Sequence, residues 1–197
     1  MCRKKWLLTG LLVVLLAVSG CGNKQEDDTS LKDEDMVQAP TRTENLVWSD
    51  NMLMLREAVT ETLGDNYWPG KQLSQAGVEE LFGIPDTMYV DYMAEISSED
   101  EHKDMLLIFE AKEDYGNELE EILTKYHEKC LADQTLSAEN AVKTQGSRIE
   151  RIGEYVCYVQ LGADLGDMSK NSLEEMIGQC REQNELAIAV LEQQLIH

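Results

Sequence analysis

A two-residue punctuation between two apolar runs does most to constrain how this chain folds. Residues 148–152 and 155–161 read as strands, and Gly153-Glu154 separates them. Glycine at the first of two loop positions predicts a type II′ hairpin turn, which needs a positive φ there and matches the twist of the flanking strands. On the returning strand Tyr155, Cys157, Val159 and Leu161 fall on one face, because side chains alternate across a strand. The hairpin commits the chain to an antiparallel sheet.

Other segments arrange themselves around it. Met52, Leu55, Val59 and Leu63 recur at helical spacing before Gly64. Trp68-Pro69-Gly70 reads as a turn. Ser74 caps a short helix whose Val78, Leu81 and Phe82 face one way, ended by Gly83 and Pro85. Met88, Val90, Tyr92, Ala94 and Ile96 alternate with Tyr89, Asp91, Met93 and Glu95, which predicts a strand with one mostly apolar face. An acidic loop, 97–103, leads into Met105-Leu106-Leu107-Ile108-Phe109, a continuous apolar run that suits a central strand.

Residues 114–131 carry an amphipathic helical pattern. Leu119, Ile122, Leu123, Tyr126 and Cys130 make the stripe, with Glu118, Glu120, Glu121, Lys125 and Lys129 facing away. Residues 137–142 add a turn or two of helix. Ser172-Leu173-Glu174-Glu175 is a capping-box pattern opening a long helix, with apolar contacts from Leu173, Met176, Ile177, Cys180, Ile188, Leu191 and Leu195. Asn184 interrupts that spacing, so the helix either packs along the sheet or projects toward another helix. The expected fold is α+β: a single domain over residues 46–197, with a four-stranded antiparallel sheet and helices packed mainly on one face.

The amino-terminal end is organised differently. Arg3, Lys4 and Lys5 precede an uncharged apolar run, 7–18, that closes in Val18-Ser19-Gly20-Cys21. A basic head, an apolar stretch too short to span a bilayer and a small-residue cleavage site predict a secretory signal peptide over residues 1–20. The Val-Ser-Gly-Cys ending resembles the lipobox of bacterial lipoproteins. That resemblance implies cleavage between Gly20 and Cys21 and diacylglyceryl attachment at Cys21. Residues 21–45 are nearly free of large apolar side chains and read as a disordered acidic tether. Such a coil reaches about 25–30 Å. The lipid on Cys21 is thus expected to hold the domain at the cell membrane, facing the extracytoplasmic side.

Seventeen Lys+Arg stand against thirty-eight Asp+Glu, a formal charge of −21. Removing residues 1–20 takes three bases and no acid, so fourteen face thirty-eight and the charge becomes −24. Nucleic acid needs a basic patch and is not an expected partner. Anionic headgroups should be repelled for the same reason. The acidity serves solubility and leaves a protein or a cationic ligand open as partner. With Cys2 in the signal and Cys21 under lipid, Cys130, Cys157 and Cys180 remain, each at an apolar-face position. They read as buried free thiols, with one disulfide left open.

Five segments together resemble a group of bacterial lipoproteins, the family catalogued as domain of unknown function 4358, over about residues 73–163. They are Leu81-Phe82-Gly83-Ile84-Pro85, Tyr92-Met93-Ala94-Glu95, Leu107-Ile108-Phe109-Glu110-Ala111-Lys112, the helix from Leu119, and the Ile152-Gly153-Glu154-Tyr155-Val156 hairpin. The resemblance implies a secreted, membrane-tethered domain and carries over no catalytic residue. The long helix after Ser172 departs from that family core.

Residues with chemistry to offer are few. His127 and Cys130 are three apart on a helix and reach one point, but no second His/Cys pair lies nearby, and packing is the expected role of Cys130. His102 sits in the acidic loop and His197 ends the chain. Residues 97–104, and Asp164 with Asp167, lack the glycine and alternating acids of a calcium loop and read as solvated turns. No nucleophile elbow, phosphate-cradling glycine loop or His-Glu-x-x-His is present. Trp48, Tyr67 and Trp68 gather beside the first helix, at the rim of the core or as an exposed indole anchor.

The expected function is non-enzymatic: a lipid-anchored extracytoplasmic module that binds or organises something at the cell surface, without cofactor or metal. Two alternatives stand beside it. One is an extracytoplasmic hydrolase whose catalytic carboxylates hide among solvated ones. The other is a calcium-dependent interaction protein.

Overall fold

The computed structural model describes residues 48–99 and 102–196. The expected signal peptide, the Gly20–Cys21 cleavage and lipidation site, and the expected tether lie outside the described residues, as does His197.

Helix α1, Asp50–Leu63, starts where the Ser49 hydroxyl accepts the Met52 amide at 3.2 Å and stops at Gly64 with φ of 51°. Met52, Leu55, Val59 and Leu63 are its buried residues, as their spacing predicts. Each such side chain contributes about 1.5–3 kcal/mol of burial before chain entropy is counted. Helix α2, Gln75–Phe82, is capped by Ser74 and ends in left-handed Gly83. Its Val78 and Phe82 are buried, but Leu81 is half exposed and leaves the predicted stripe.

Five strands build one antiparallel sheet: β1 (Pro69–Gln72), β2 (Tyr89–Ser97), β3 (Met105–Ala111), β4 (Arg148–Ile152) and β5 (Tyr155–Gln160), in the order β1-β2-β3-β5-β4. The Met105–Phe109 run is the central strand, as expected. The four-strand expectation is corrected by β1, which begins where the sequence suggested only a turn. Pro69 lacks an amide to donate and is tolerated because β1 is an edge. In the β4–β5 hairpin Gly153 has φ of 61°, while Asp114 alone among described non-glycine residues has positive φ. Glu154 is therefore at negative φ, which selects the predicted type II′ turn over type I′.

Helices cover both faces of the sheet, correcting the expectation of one. Met93, Leu106, Ile108, Cys157 and Val159 meet α1 and the carboxy-terminal half of α5 (Leu173–Leu195). Ala94, Met105, Leu107, Phe109, Val156 and Tyr158 meet α2 and α3 (Gly116–Ala132). The central strands therefore read as continuous apolar runs. The same layering explains β2. Val90 is 67% exposed, whereas Met93 and Glu95, placed on the polar face by their alternation, are buried.

Helix α4, Ala138–Gly146, runs a turn further than expected from Ser137. Helix α5 opens with the predicted capping box at Ser172 and Glu175, though Leu173 is itself exposed. Asn184 is fully buried. Its Oδ1 accepts the Leu161 amide at 2.8 Å, and its Nδ2 donates to Gly146 O at 3.0 Å and Cys180 O at 2.9 Å. The residue that interrupts the apolar spacing is the clamp joining α5 to β5 and α4. Cys130, Cys157 and Cys180 are free thiols, the last two buried.

Candidate functional site

Helix α3 seals the core through Leu119 and Leu123, with Ile122 and Tyr126 packed against the same cluster. Beyond them Lys129 and Cys130 continue the helix toward its end at Ala132. The chain then turns through 133–137 into α4. Between these elements, Met105 at the start of β3 and Gln160 at the end of β5, a cleft of about 470 Å³ opens. That volume lies within the range of small-molecule sites.

The inner wall of the cleft offers little polar chemistry. Gln160 is 1% exposed, and both ends of its amide are engaged. Its Oε1 accepts from the Tyr158 hydroxyl at 2.8 Å, and its Nε2 donates to Lys103 O at 2.6 Å. The Thr144 hydroxyl donates to Asn140 O at 2.8 Å, and Met105 and Cys130 add sulfur to the lining. What these groups present to the cleft is therefore largely carbon and sulfur. Lys103, Lys129 and Asp133 complete the lining at exposed positions, and Asp133 is the one carboxylate among the described lining residues. Asp133 Oδ1 already accepts the Thr135 amide and hydroxyl, which with the two lysines holds its carboxyl below the usual range.

A polar knot lies behind this cleft. Lys143 is fully buried, with Nζ 2.9 Å from Asp104 Oδ2 and 2.9 Å from Glu139 Oε1. The same ammonium stands 3.9 Å from the centre of the Trp68 ring. Asp104 Oδ1 accepts the Gly162 amide at 2.6 Å. A Cβ on Gly162 would sit 2.4 Å from Lys143 Cε, so only glycine allows this approach. His102 meets Trp68 edge-on at 5.2 Å and approaches Glu99 and Glu139 at 3.5 and 3.6 Å. Lys143 answers both Asp104 and Glu139, which makes the knot a fastening between α4, β3 and the β5 exit.

The other residues singled out in the sequence are dispersed. His127 and Cys130 do not converge. His127 Nδ1 meets the Ser147 and Tyr158 hydroxyls at 3.0 and 3.3 Å, while Cys130 lines the cleft beside Tyr126. Burial lowers the His127 pKa. Both hydroxyl protons point elsewhere, Ser147 to Thr144 O and Tyr158 to Gln160 Oε1. The network is satisfied when His127 Nδ1 carries the proton and the hydroxyl oxygens accept it.

Asp164 and Asp167 cap their own turns at Gly166 and Ser169. Among the described residues no three His, Cys, Asp or Glu side chains converge to hold a metal ion. Trp48 is buried, and the Trp68 indole donates to Asp65 O at 2.7 Å with its face on Lys143, so neither is an exposed anchor. Tyr67 donates to Glu95, which also takes Arg56 Nε at 2.7 Å and Nη2 at 3.1 Å. Burial and that carboxylate push the Tyr67 pKa up.

The cleft itself is not visible in the sequence. Met105, Tyr126, Leu136, Thr144 and Gln160 come from four elements and a loop, at no recognisable spacing. The one hint is that Cys130 continues the α3 stripe a turn beyond Tyr126.

A family model described as Domain of unknown function (DUF4358) matches residues 63–161. The match runs from the end of α1 through the whole sheet and contains every residue lining the cleft. It stops before α5, the helix that the sequence resemblance also left outside. No curated protein and no solved structure matches the chain.

Proposed function

The chain belongs to the DUF4358 family, and from the cleft and the amino-terminal sequence we propose that it is a lipid-anchored extracytoplasmic binding module. Anchoring rests on the basic head, the short apolar run and Cys21 in its small-residue box. Binding rests on one observation: a cleft of about 470 Å³ with a mainly apolar inner wall, where the Gln160 amide and the Thr144 hydroxyl are already hydrogen-bonded to the protein. An apolar inner wall with a few polar groups at its mouth is the arrangement of a ligand site.

The two halves of the proposal are tested separately. Cells given labelled palmitate should incorporate it into the wild-type chain and not into Cys21→Ala, and an unlabelled wild type refutes the anchor. Thermal unfolding of the mature lipidated protein against a panel of small organic acids, alcohols and amines tests binding. A ligand selective for the folded state raises the midpoint. Ala132→Trp, which fills the cleft mouth, should remove the shift. A panel without any shift, or turnover of peptidoglycan, peptide or ester substrates, overturns the binding reading.

A further inference from the structure

The composition of the cleft sets it apart from the rest of the surface. The chain carries more than twice as many acidic as basic side chains. A mouth drawn from such a surface should be acidic. This one is lined by two lysines and one aspartate. Among the described residues, neither Lys103 nor Lys129 makes an ion pair within 4 Å of a carboxylate; their charges are felt by Asp133, and both favour the thiolate of Cys130. Lys125, one turn earlier on α3, is by contrast tied to Glu121 at 2.6 Å. The ammonium groups at the mouth are thus available, while most of those elsewhere are taken.

The wall behind them is apolar in what it offers. Met105, Tyr126, Cys130, Ala132 and Leu136 line a space in which the Gln160 amide and the Thr144 hydroxyl are already hydrogen-bonded within the protein. An apolar chamber excludes a highly polar ligand, because each of its polar groups would lose water without gaining a partner. Among the described residues that line the mouth, two positive charges stand against one negative.

From this juxtaposition we infer that the cleft takes a small amphipathic monoanion, its apolar body against Tyr126, Met105 and Leu136 and its anionic group between Lys103 and Lys129. The inference rests on the binding reading above and names the ligand class. It departs from the cationic partner that bulk charge leaves open, since the local charge at the mouth is opposite to the global one. The acidic surface around it then rejects polyanions and anionic membranes, while a single charge beside two lysines is accepted.

Octanoate, octanol and octyltrimethylammonium, titrated calorimetrically into the mature lipidated protein at pH 7.5, test the assignment. Octanoate is expected to bind with one-to-one stoichiometry and octanol about fivefold more weakly, the cost of two exposed charge contacts. The ammonium compound should give no measurable heat. Lys103→Gln with Lys129→Gln should weaken octanoate about fivefold and leave octanol within twofold. Raising salt from 50 to 500 mM should weaken octanoate alone.

Octanol or the cation binding as tightly as octanoate overturns the anionic assignment and leaves the binding module standing. An unchanged octanoate affinity in the double variant, with its unfolding midpoint preserved, does the same. No heat from any of the three overturns the ligand class, whereas the wider panel above decides the binding reading itself.

Discussion

Lys143 Nζ lies 2.9 Å from Asp104 Oδ2, and both side chains are sealed from solvent. A buried pair of this kind is costly to break, because removing one partner leaves the other charged and without water. Lys143→Met is expected to lose about 3–5 kcal/mol, read from the urea midpoint, and Asp104→Leu a similar amount. The double variant should recover much of either loss, since apolar side chains fill the site without desolvated charge. Additive losses would mean the two groups are stabilised independently.

Glycine at two positions gives opposite expectations. Gly162→Ala places a Cβ 2.4 Å from Lys143 Cε and 2.9 Å from Asp104 Oδ1, so the knot must shift and the protein should unfold earlier. Gly178 lies in α5, and a Cβ added there would meet nothing within 4 Å. Gly178→Ala should therefore stabilise by about 0.5–1 kcal/mol through helix propensity. Thermal unfolding of both variants checks the contrast.

Asn184 satisfies a buried amide on Leu161 and the Gly146 carbonyl at once. Asn184→Leu keeps approximate size but strands the amide. A loss of about 2–3 kcal/mol is expected in chemical denaturation. A neutral result would show that the β5 exit finds another acceptor.

The thiols should separate by reactivity. Burial pushes Cys157 up to about 12 and raises Cys130 and Cys180 as well, but Cys130 is only half-buried and lines the cleft. Iodoacetamide at pH 8 should label Cys130 first in the folded protein and Cys157 only on unfolding. Peptide mapping over time reads the order.

The same shift has a pH consequence. Cys157 is protonated in the folded chain up to about 12, whereas an unfolded cysteine ionises near 9. Between those values the folded state holds the extra proton, so stability is complete below pH 9 and falls as pH rises toward 12. The buried phenols of Tyr67, Tyr89, Tyr126 and Tyr158 are raised too and deepen the loss at the alkaline end. Each group contributes a slope of about 1.4 kcal/mol per pH unit inside its window. Urea midpoints from pH 8 to 11 should fall, and less steeply in Cys157→Ala relative to its own value at pH 8.

Local pattern alone determined the five helices, the central strand and the β4–β5 turn. Ser49, Ser74, Ser137 and Ser172 cap helices where hydroxyl and following amides are neighbours in sequence, and Gly153 supplies its positive φ without outside help. Family membership was legible for the same reason, in short runs such as Leu107-Ile108-Phe109. Tertiary contacts decided the rest. Pro69–Gln72 becomes a strand only because β2 offers it an edge. Glu95 and Asn184 break apolar patterns yet are buried, since Arg56, Tyr67, Leu161 and Gly146 reach them across 23 to 39 residues of chain. Lys103, Lys129 and Gln160 meet at one cleft only after three elements have packed. Periodicity reports what a residue does with its neighbours along the chain; charge pairing and cavity shape are set by neighbours in space.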